Sequence, residues 1–166
     1  MIHYLIGSAV EPLVTGPKII CHICNDIGAW GAGFVLAVSK KWPQPEAKYR
    51  ALTPEKRQLG YVQLIPVTPD IYVANMIAQH DTKPMYAGGY GAHNSNSNPI
   101  PPIRYDALRT CLRVLQMDAH SLHASVHMPR IGCGLAGGDW KTVEKLIQEC
   151  LPDIEVYVYD LPQVKV

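Results

Sequence analysis

The chain has 166 residues, 48% of them apolar and 17% charged, with a formal net charge of +1. That length and balance suit one domain, residues 1–166, with a continuous core, and exclude a disordered chain. The fifteen Lys and Arg are scattered rather than gathered into a stripe, which argues against strong sequence-independent attachment to nucleic acid but leaves a compact anionic ligand open.

The apolar opening "MIHYLIGSAVEPLV" lacks a basic leading region and carries Glu11 and Pro12, so it makes a poor signal peptide. No run approaches the length of a membrane span, and the expected location is the cytosol. "IHYLIGS" reads as a first strand. "KIICHICN" reads as a second, and its almost unbroken apolar character predicts a central position. "GFVLAVSKKW" follows as a short helix. "GYVQLIPV" and "IYVANMIA", joined by the turn "TPD", read as two strands of a hairpin or near-hairpin.

Residues 80–102 form the longest stretch without periodicity, rich in Gly, Asn, Ser and Pro. Such loops in compact domains serve as functional lids or are poorly ordered. "IRYDALRTCLRVLQMDA" is an amphipathic helix whose apolar stripe is Ile103, Leu108, Cys111, Leu112 and Leu115. "SVHMPRIG" reads as a strand, "DWKTVEKLIQECL" as a helix and "IEVYVYDL" as a closing strand. Strands alternating with helices imply an α/β fold: a three-layer α/β/α sandwich around a central mixed, mainly parallel sheet.

Two stretches run strand, glycine loop, helix: "CHICNDIGAWGAGF", residues 21–34, and "PRIGCGLAGGDW", residues 129–140. If the strands before them are parallel, both loops leave the carboxyl edge of the sheet, where open α/β sheets bind ligands, and face each other across a crevice. Glycine lets backbone N–H groups approach a ligand closely, and a helix start behind each loop favours an anion. A pyrophosphate would fit between them. Gly132, Gly134 and Gly137 also spell G-x-G-x-x-G, with Asp153 at about the interval of a ribose contact. Only one helix and one strand follow, too few for a Rossmann domain, so the fingerprint is read as a decoy. No GK[ST] closes either loop and no G-x-S-x-G occurs.

Five cysteines at 21, 24, 111, 133 and 150 do not form a secreted disulfide pattern. Cys21 and Cys24 make a CxxC, but residues three apart on a strand point to opposite faces, and no second CxxC completes a zinc site. Cys133 lacks a neighbouring cue for an activating base and is read as a small loop-filling residue. His120, His123 and His127 straddle a loop and a strand rather than one helical face. No metal and no cofactor is expected.

Taken in order and spacing, these loops resemble those of the macrodomain family of ADP-ribose-binding modules. "CHICNDIGAWGAGFVLAVSKKWP", "YVANMIAQ" and "MPRIGCGLAGGDW" look like the branch containing small ADP-ribose 1''-phosphate phosphatases and the terminal ADP-ribose protein glycohydrolase, over nearly the whole of residues 1–161. The resemblance implies ADP-ribose lying across the carboxyl edge. Gly31, Ala32 and Gly33 would then touch the diphosphate and distal ribose from one side, beside Trp30. Gly132, Cys133, Gly134, Leu135 and Ala136 would contact the phosphates from the other, with Asn25 on the distal ribose. Asp26, Gln79, His80 and Arg104 are further candidates for that ribose. Where family members carry Asp or Asn to read adenine, this chain has "GSAV", so Ser8, Ala9 or a backbone amide would stand in.

His22 matches the position of the catalytic histidine of the small phosphatases, and Asp139 is its expected partner carboxylate as well as a candidate helix cap. The implied reaction is metal-independent release of phosphate from ADP-ribose 1''-phosphate. His22 would orient or deprotonate water, and Asp139 would shuttle or orient protons. The glycohydrolase pattern has Asp directly after "GCGL" and a lysine soon after the middle strand. Here Ala136 and, near the second position, Gln79 stand there, with Lys83 further on, which disfavours the lysine route. Two other readings stand beside the phosphatase: removal of ADP-ribose from modified protein or nucleic acid, and a non-catalytic ADP-ribose binding module.

Overall fold

The computed structural model describes residues 1–84 and 100–163. They form six strands, β1 (Ile2–Ile6), β2 (Lys18–Asn25), β3 (Val62–Thr68), β4 (Ile71–Gln79), β5 (Ser125–Met128) and β6 (Val156–Asp160). The four helices are α1 (Phe34–Lys41), α2 (Gln44–Arg50), α3 (Tyr105–Leu122) and α4 (Trp140–Cys150). The sheet order is β1-β6-β5-β2-β4-β3, all pairs parallel except the β3–β4 hairpin. The expected mixed, mainly parallel sheet is what the chain builds.

β2 lies between β4 and β5 and is covered on both faces, which is why its sequence shows no alternation of apolar and polar residues. Ile19 and Cys21 point to the layer of α3 and α4, with Leu108, Leu112, Leu115, Val143 and Ile147. Ile20 and Cys24 point to the opposite layer, with Val35 and Val38 of α1 and Tyr49 of α2. The CxxC is thus divided between two cores, and all five cysteines are free thiols.

α2 is absent from the sequence reading. Its segment, "PQPEAKYR", carries Pro43 and Pro45, residues that end helices when they fall inside them. Here they stand at the N-cap and in the first turn, where a missing N–H costs no intrahelical bond. α3 runs one turn further than its stripe suggests and stops where His123 takes a left-handed conformation, φ 52°. His120 therefore lies in the last helical turn, whereas His127 is fully buried in β5, between the Ser125 and Tyr159 hydroxyls at 2.8 Å each. Among the described residues no group of three His, Cys, Asp or Glu is placed to hold a metal ion, and no helix is long and apolar enough to cross a membrane.

Most of the aperiodic 80–102 stretch, residues 85–99, lies outside the described residues. Its flanks are pinned to the end of β4: His80 N donates to Pro102 O at 2.8 Å and Arg104 N to Ala78 O at 2.8 Å.

Candidate functional site

β2 and β5 are adjacent and parallel, so the loops that follow them emerge on one edge of the sheet. Between them lies a cleft of about 660 Å³, within the range of small-molecule sites. It runs along the carboxyl edge from Gln79 and Thr82 near β4, over His22 and Asn25 of β2, to Pro129 and Arg130 past β5.

The first loop is organised by Asn25. A register shift at Cys24/Asn25 sets it at a bulge in the β2–β4 ladder. Its Oδ1 accepts from Ile27 N at 3.1 Å and Ala29 N at 3.0 Å, and its Nδ2 donates to Ala29 O at 2.7 Å. The Tyr49 hydroxyl lies 2.8 Å from the same Oδ1 and 2.6 Å from Asn25 O. Asn25 lines the cleft, but its amide already holds the loop together. Trp30 does not line the cleft. Its ring is buried edge-on against His22, with centroids 5.3 Å apart, and its indole N–H donates to Ser39 Oγ at 2.7 Å. It anchors the loop from behind.

The second loop turns so tightly that Gly132 has φ +74°, and a Cβ there would lie 2.4 Å from Ile103 Cδ1. A Cβ at Gly138 would meet Gly132 O at 2.5 Å. These two glycines are demanded by the fold. Gly31 and Gly134 are different: both line the cleft, neither has a positive φ, and a Cβ on either would meet no atom within 4 Å. Nothing among the described residues requires them to be glycine. The amides of Gly31, Ala32 and Gly33 on one side, and of Gly134, Leu135 and Ala136 on the other, donate to no backbone carbonyl among the described residues. α1 begins directly behind Gly33 with no side-chain cap, adding the positive end of a helix dipole. The edge is a concave array of donors suited to an anion.

His22 forms part of the cleft wall yet is only 2% exposed. Its Nε2 lies 2.6 Å from Asn75 Oδ1. Asn75 Nδ2 donates to Pro45 O and Gln63 Oε1, each at 3.1 Å, so Oδ1 is the acceptor and Nε2 carries the imidazole proton. Burial lowers the His22 pKa to about 4, the Asn75 hydrogen bond opposing only part of that shift. The ring is neutral at physiological pH, with Nδ1 its acceptor nitrogen.

Asp139, expected as the partner carboxylate of His22, does not line the cleft. It is exposed, and its Oδ2 accepts from Thr142 N at 3.3 Å and Thr142 Oγ1 at 3.0 Å, capping α4. The polar group that reaches His22 is Asn75, a residue the sequence reading passed over because it is a single amide in an apolar strand. Ser8 and Ala9 also stand away from the cleft lining: the Ser8 hydroxyl accepts from Val10 N at 3.3 Å, and Ala9 is buried. Cys133 points back, its thiol donating to Ile131 O at 3.4 Å, and burial raises its pKa. Both facts are at odds with a thiolate nucleophile.

Gln79, Gly132, Leu135 and Ala136 line the cleft. Asp26 and His80 meet each other beside it, with Nδ1 2.6 Å from Oδ2. Arg104 donates to the carbonyls of Pro101, Pro102 and Ile103, and Asp153 precedes β6 at the other edge of the sheet, away from the glycine loops. Thr82, Pro129 and Arg130 are among the lining residues that the sequence does not single out.

No family profile matches the chain. A chromodomain-helicase-DNA-binding protein 1-like from Danio rerio is 30% identical over 90% of this chain, which spans only 14% of that protein's length. A protein from Lodderomyces elongisporus named ADP-ribose 1''-phosphate phosphatase is 24% identical, over 88% of this chain and 90% of that one. The solved macrodomain protein of Streptomyces coelicolor is 47% identical, with 96% of this chain and 99% of that chain covered and a TM-score of 0.79. An identity that high across nearly the full length of both chains, on a sheet whose carboxyl edge carries two opposed glycine loops, makes this protein a member of the macrodomain family.

Proposed function

We propose that the cleft binds ADP-ribose, with its diphosphate between the loops at 31–33 and 134–136, and that the protein hydrolyses ADP-ribose 1''-phosphate to ADP-ribose and inorganic phosphate. One observation carries the binding reading: the cleft is lined on both sides by residues whose backbone amides donate to no carbonyl among the described residues, with Gly31 and Gly134 bare where a Cβ would meet no described atom. Such donors suit a diphosphate, and no side-chain charge is needed at its centre. The named activity of the Lodderomyces relative supports the choice of reaction.

In this reaction the oxygen of water bonds to phosphorus, and the bond from phosphorus to the oxygen on C1'' breaks. ADP-ribose leaves with its 1''-hydroxyl. His22 serves as an oriented neutral acceptor. Asn75 holds the proton on Nε2, so Nδ1 can accept a hydrogen bond from the attacking water. Asp139 acts at a distance from the reacting atoms, fixing the start of α4 behind the second loop.

Phosphate release from ADP-ribose 1''-phosphate, followed beside calorimetry with ADP-ribose, tests both statements. The wild type should bind ADP-ribose and release phosphate. His22→Ala should keep binding and lose release by about a hundredfold, the usual weight of a positioned acid–base group. Binding without phosphate release, but with loss of ADP-ribose from a modified protein, would replace the phosphatase by an ADP-ribosyl hydrolase. Binding with neither reaction would leave a binding module.

A further inference from the structure

Trp30 is tied at both of its polar groups. Its indole Nε1 donates to Ser39 Oγ at 2.7 Å, and Ser39 Oγ donates to Glu46 Oε1 at 2.8 Å. Glu46 Oε2 accepts from Arg50 Nε at 2.8 Å, and Arg50 Nη2 donates back to Trp30 O at 3.1 Å. The four residues form a closed ring of hydrogen bonds that joins the first loop to α1 through Ser39 and to α2 through Glu46 and Arg50. Every bond has a fixed direction, because the indole and the guanidinium only donate and the ionised carboxylate only accepts. The Arg50 guanidinium and the Ser39 hydroxyl hold the Glu46 carboxyl below the usual carboxylate range, so it keeps the charge that the ring requires.

None of these four residues lines the cleft, although Gly31, the residue after Trp30, does. A surface ion pair between helical residues four apart adds little to stability, and Arg50 keeps 51% of its side chain exposed. Its bond to Trp30 O sets an orientation instead. The Trp30–Gly31 peptide is trans, and across a planar trans peptide the carbonyl and the following N–H point in opposite directions. Trp30 O is directed to α2, outside the cleft, so the Gly31 N–H is turned the other way, and it donates to no backbone carbonyl among the described residues. The start of the same loop is held alike. Asn25 O accepts from the Tyr49 hydroxyl at 2.6 Å, and Asp26 O from Nε of Arg57, between α2 and β3, at 3.1 Å. Carbonyls of the loop are thus gathered by donors behind it.

Resting on the reading of the cleft as an ADP-ribose site, we propose that Arg50, braced by Glu46, is a positioning residue for the ligand: by gripping Trp30 O it turns the Gly31 amide toward the cleft as a preformed phosphate donor. The amide then needs no reorientation when the anion arrives. Arg50 acts through the peptide and not by contact.

The test is calorimetry with ADP-ribose on wild type, Arg50→Ala and Glu46→Gln, beside thermal melts and backbone amide NMR spectra of each. Arg50→Ala should melt close to wild type and bind about tenfold more weakly, the scale of one lost hydrogen bond to a charged group. At saturating ADP-ribose the shift of the Gly31 amide should fall away in that variant while those at 134–136 persist. Glu46→Gln, which loosens Arg50 without removing it, should lose affinity by about threefold and weaken the Gly31 response, and it keeps the comparison if Arg50→Ala fails to fold. A loss that disappears in about 0.5 M salt, where distant charges are screened, would make Arg50 a remote charge and overturn the assignment. Equal weakening of the shifts in both loops would make it a general brace and overturn it too. Wild type that fails to bind ADP-ribose would overturn the cleft reading together with this one, whereas wild-type binding with an unaltered Gly31 response in both variants overturns this one alone.

Discussion

His22 and Asn75 are register partners on adjacent parallel strands, and the imidazole Nε2 donates to the amide Oδ1 at 2.6 Å across the pair. The ladder continues to β3, where Gln63 is in turn the partner of Asn75 and accepts from its Nδ2. One histidine tautomer is thereby selected through three strands. Replacing the neutral amide by a carboxylate should reverse the balance that lowers the His22 pKa, because a buried anion favours the imidazolium. In Asn75→Asp, nitrogen chemical shifts of the His22 ring should report titration well above about 4, with the acid limb of phosphate release moving up with it. An unchanged His22 titration would show that Asn75 does not control the ring.

Acid should destabilise the fold in a defined window. Burial lowers both His22 and His127 to about 4, whereas in the unfolded chain each titrates near the ordinary value of about 6.5. Between those values the unfolded state binds more protons than the folded state, so stability is full above about 6.5 and declines as pH falls toward 4. Each imidazole contributes on the order of 3 kcal/mol across the window. Urea melts at several pH values should show this slope, and His127→Gln should remove about half of it. A melting midpoint independent of pH between 4 and 6.5 would contradict the assignment of both rings as buried and neutral.

The glycines of the two loops should divide by mechanism. Gly132→Ala forces a side chain into Ile103 at a positive φ and should cost several kcal/mol, the sum of strain and overpacking. In Gly31→Ala and Gly134→Ala the added Cβ meets no atom of the described residues within 4 Å. They should melt within about 1 kcal/mol of wild type while losing about tenfold or more in ADP-ribose affinity. Thermal melts and calorimetry on the three variants separate a glycine kept for folding from one kept for a ligand.

Removing the Asp139 carboxylate should register in stability. The side chain caps α4 through Thr142 and lies outside the cleft lining, so Asp139→Ala should cost about 1 kcal/mol and leave most of the phosphate release intact. A hundredfold loss of release in a protein that still melts like wild type would return the carboxylate to the reaction itself.

Which parts of this site could be read in advance follows from the range of the interactions involved. The two loops were legible because each is a local pattern, an apolar run followed by bare glycines, and their shared edge was legible only on the condition that the strands before them are parallel, which the β2–β5 pairing meets. The opposite orientation of Cys21 and Cys24 was legible because it depends only on the pleat. Asn75 was not, since a single amide in "IYVANMIA" gains its meaning from His22, fifty-three residues earlier. Arg130 depends in the same way on Asp160 and Tyr4, which only the sheet order brings beside it. α2 stayed hidden because its prolines are breakers by composition and first-turn residues by position. Trp30, placed among the glycines, was expected at the ligand and instead plugs the loop from the core side.

The central claim is that main-chain amides on two opposed loops hold the diphosphate, and a backbone amide NMR titration of the wild-type protein with ADP-ribose tests it most directly. Saturable shifts concentrated at 31–33 and at 134–136, reproduced in part by inorganic pyrophosphate, are the predicted result. Shifts confined to one loop, or an unchanged spectrum at millimolar ADP-ribose, would contradict it.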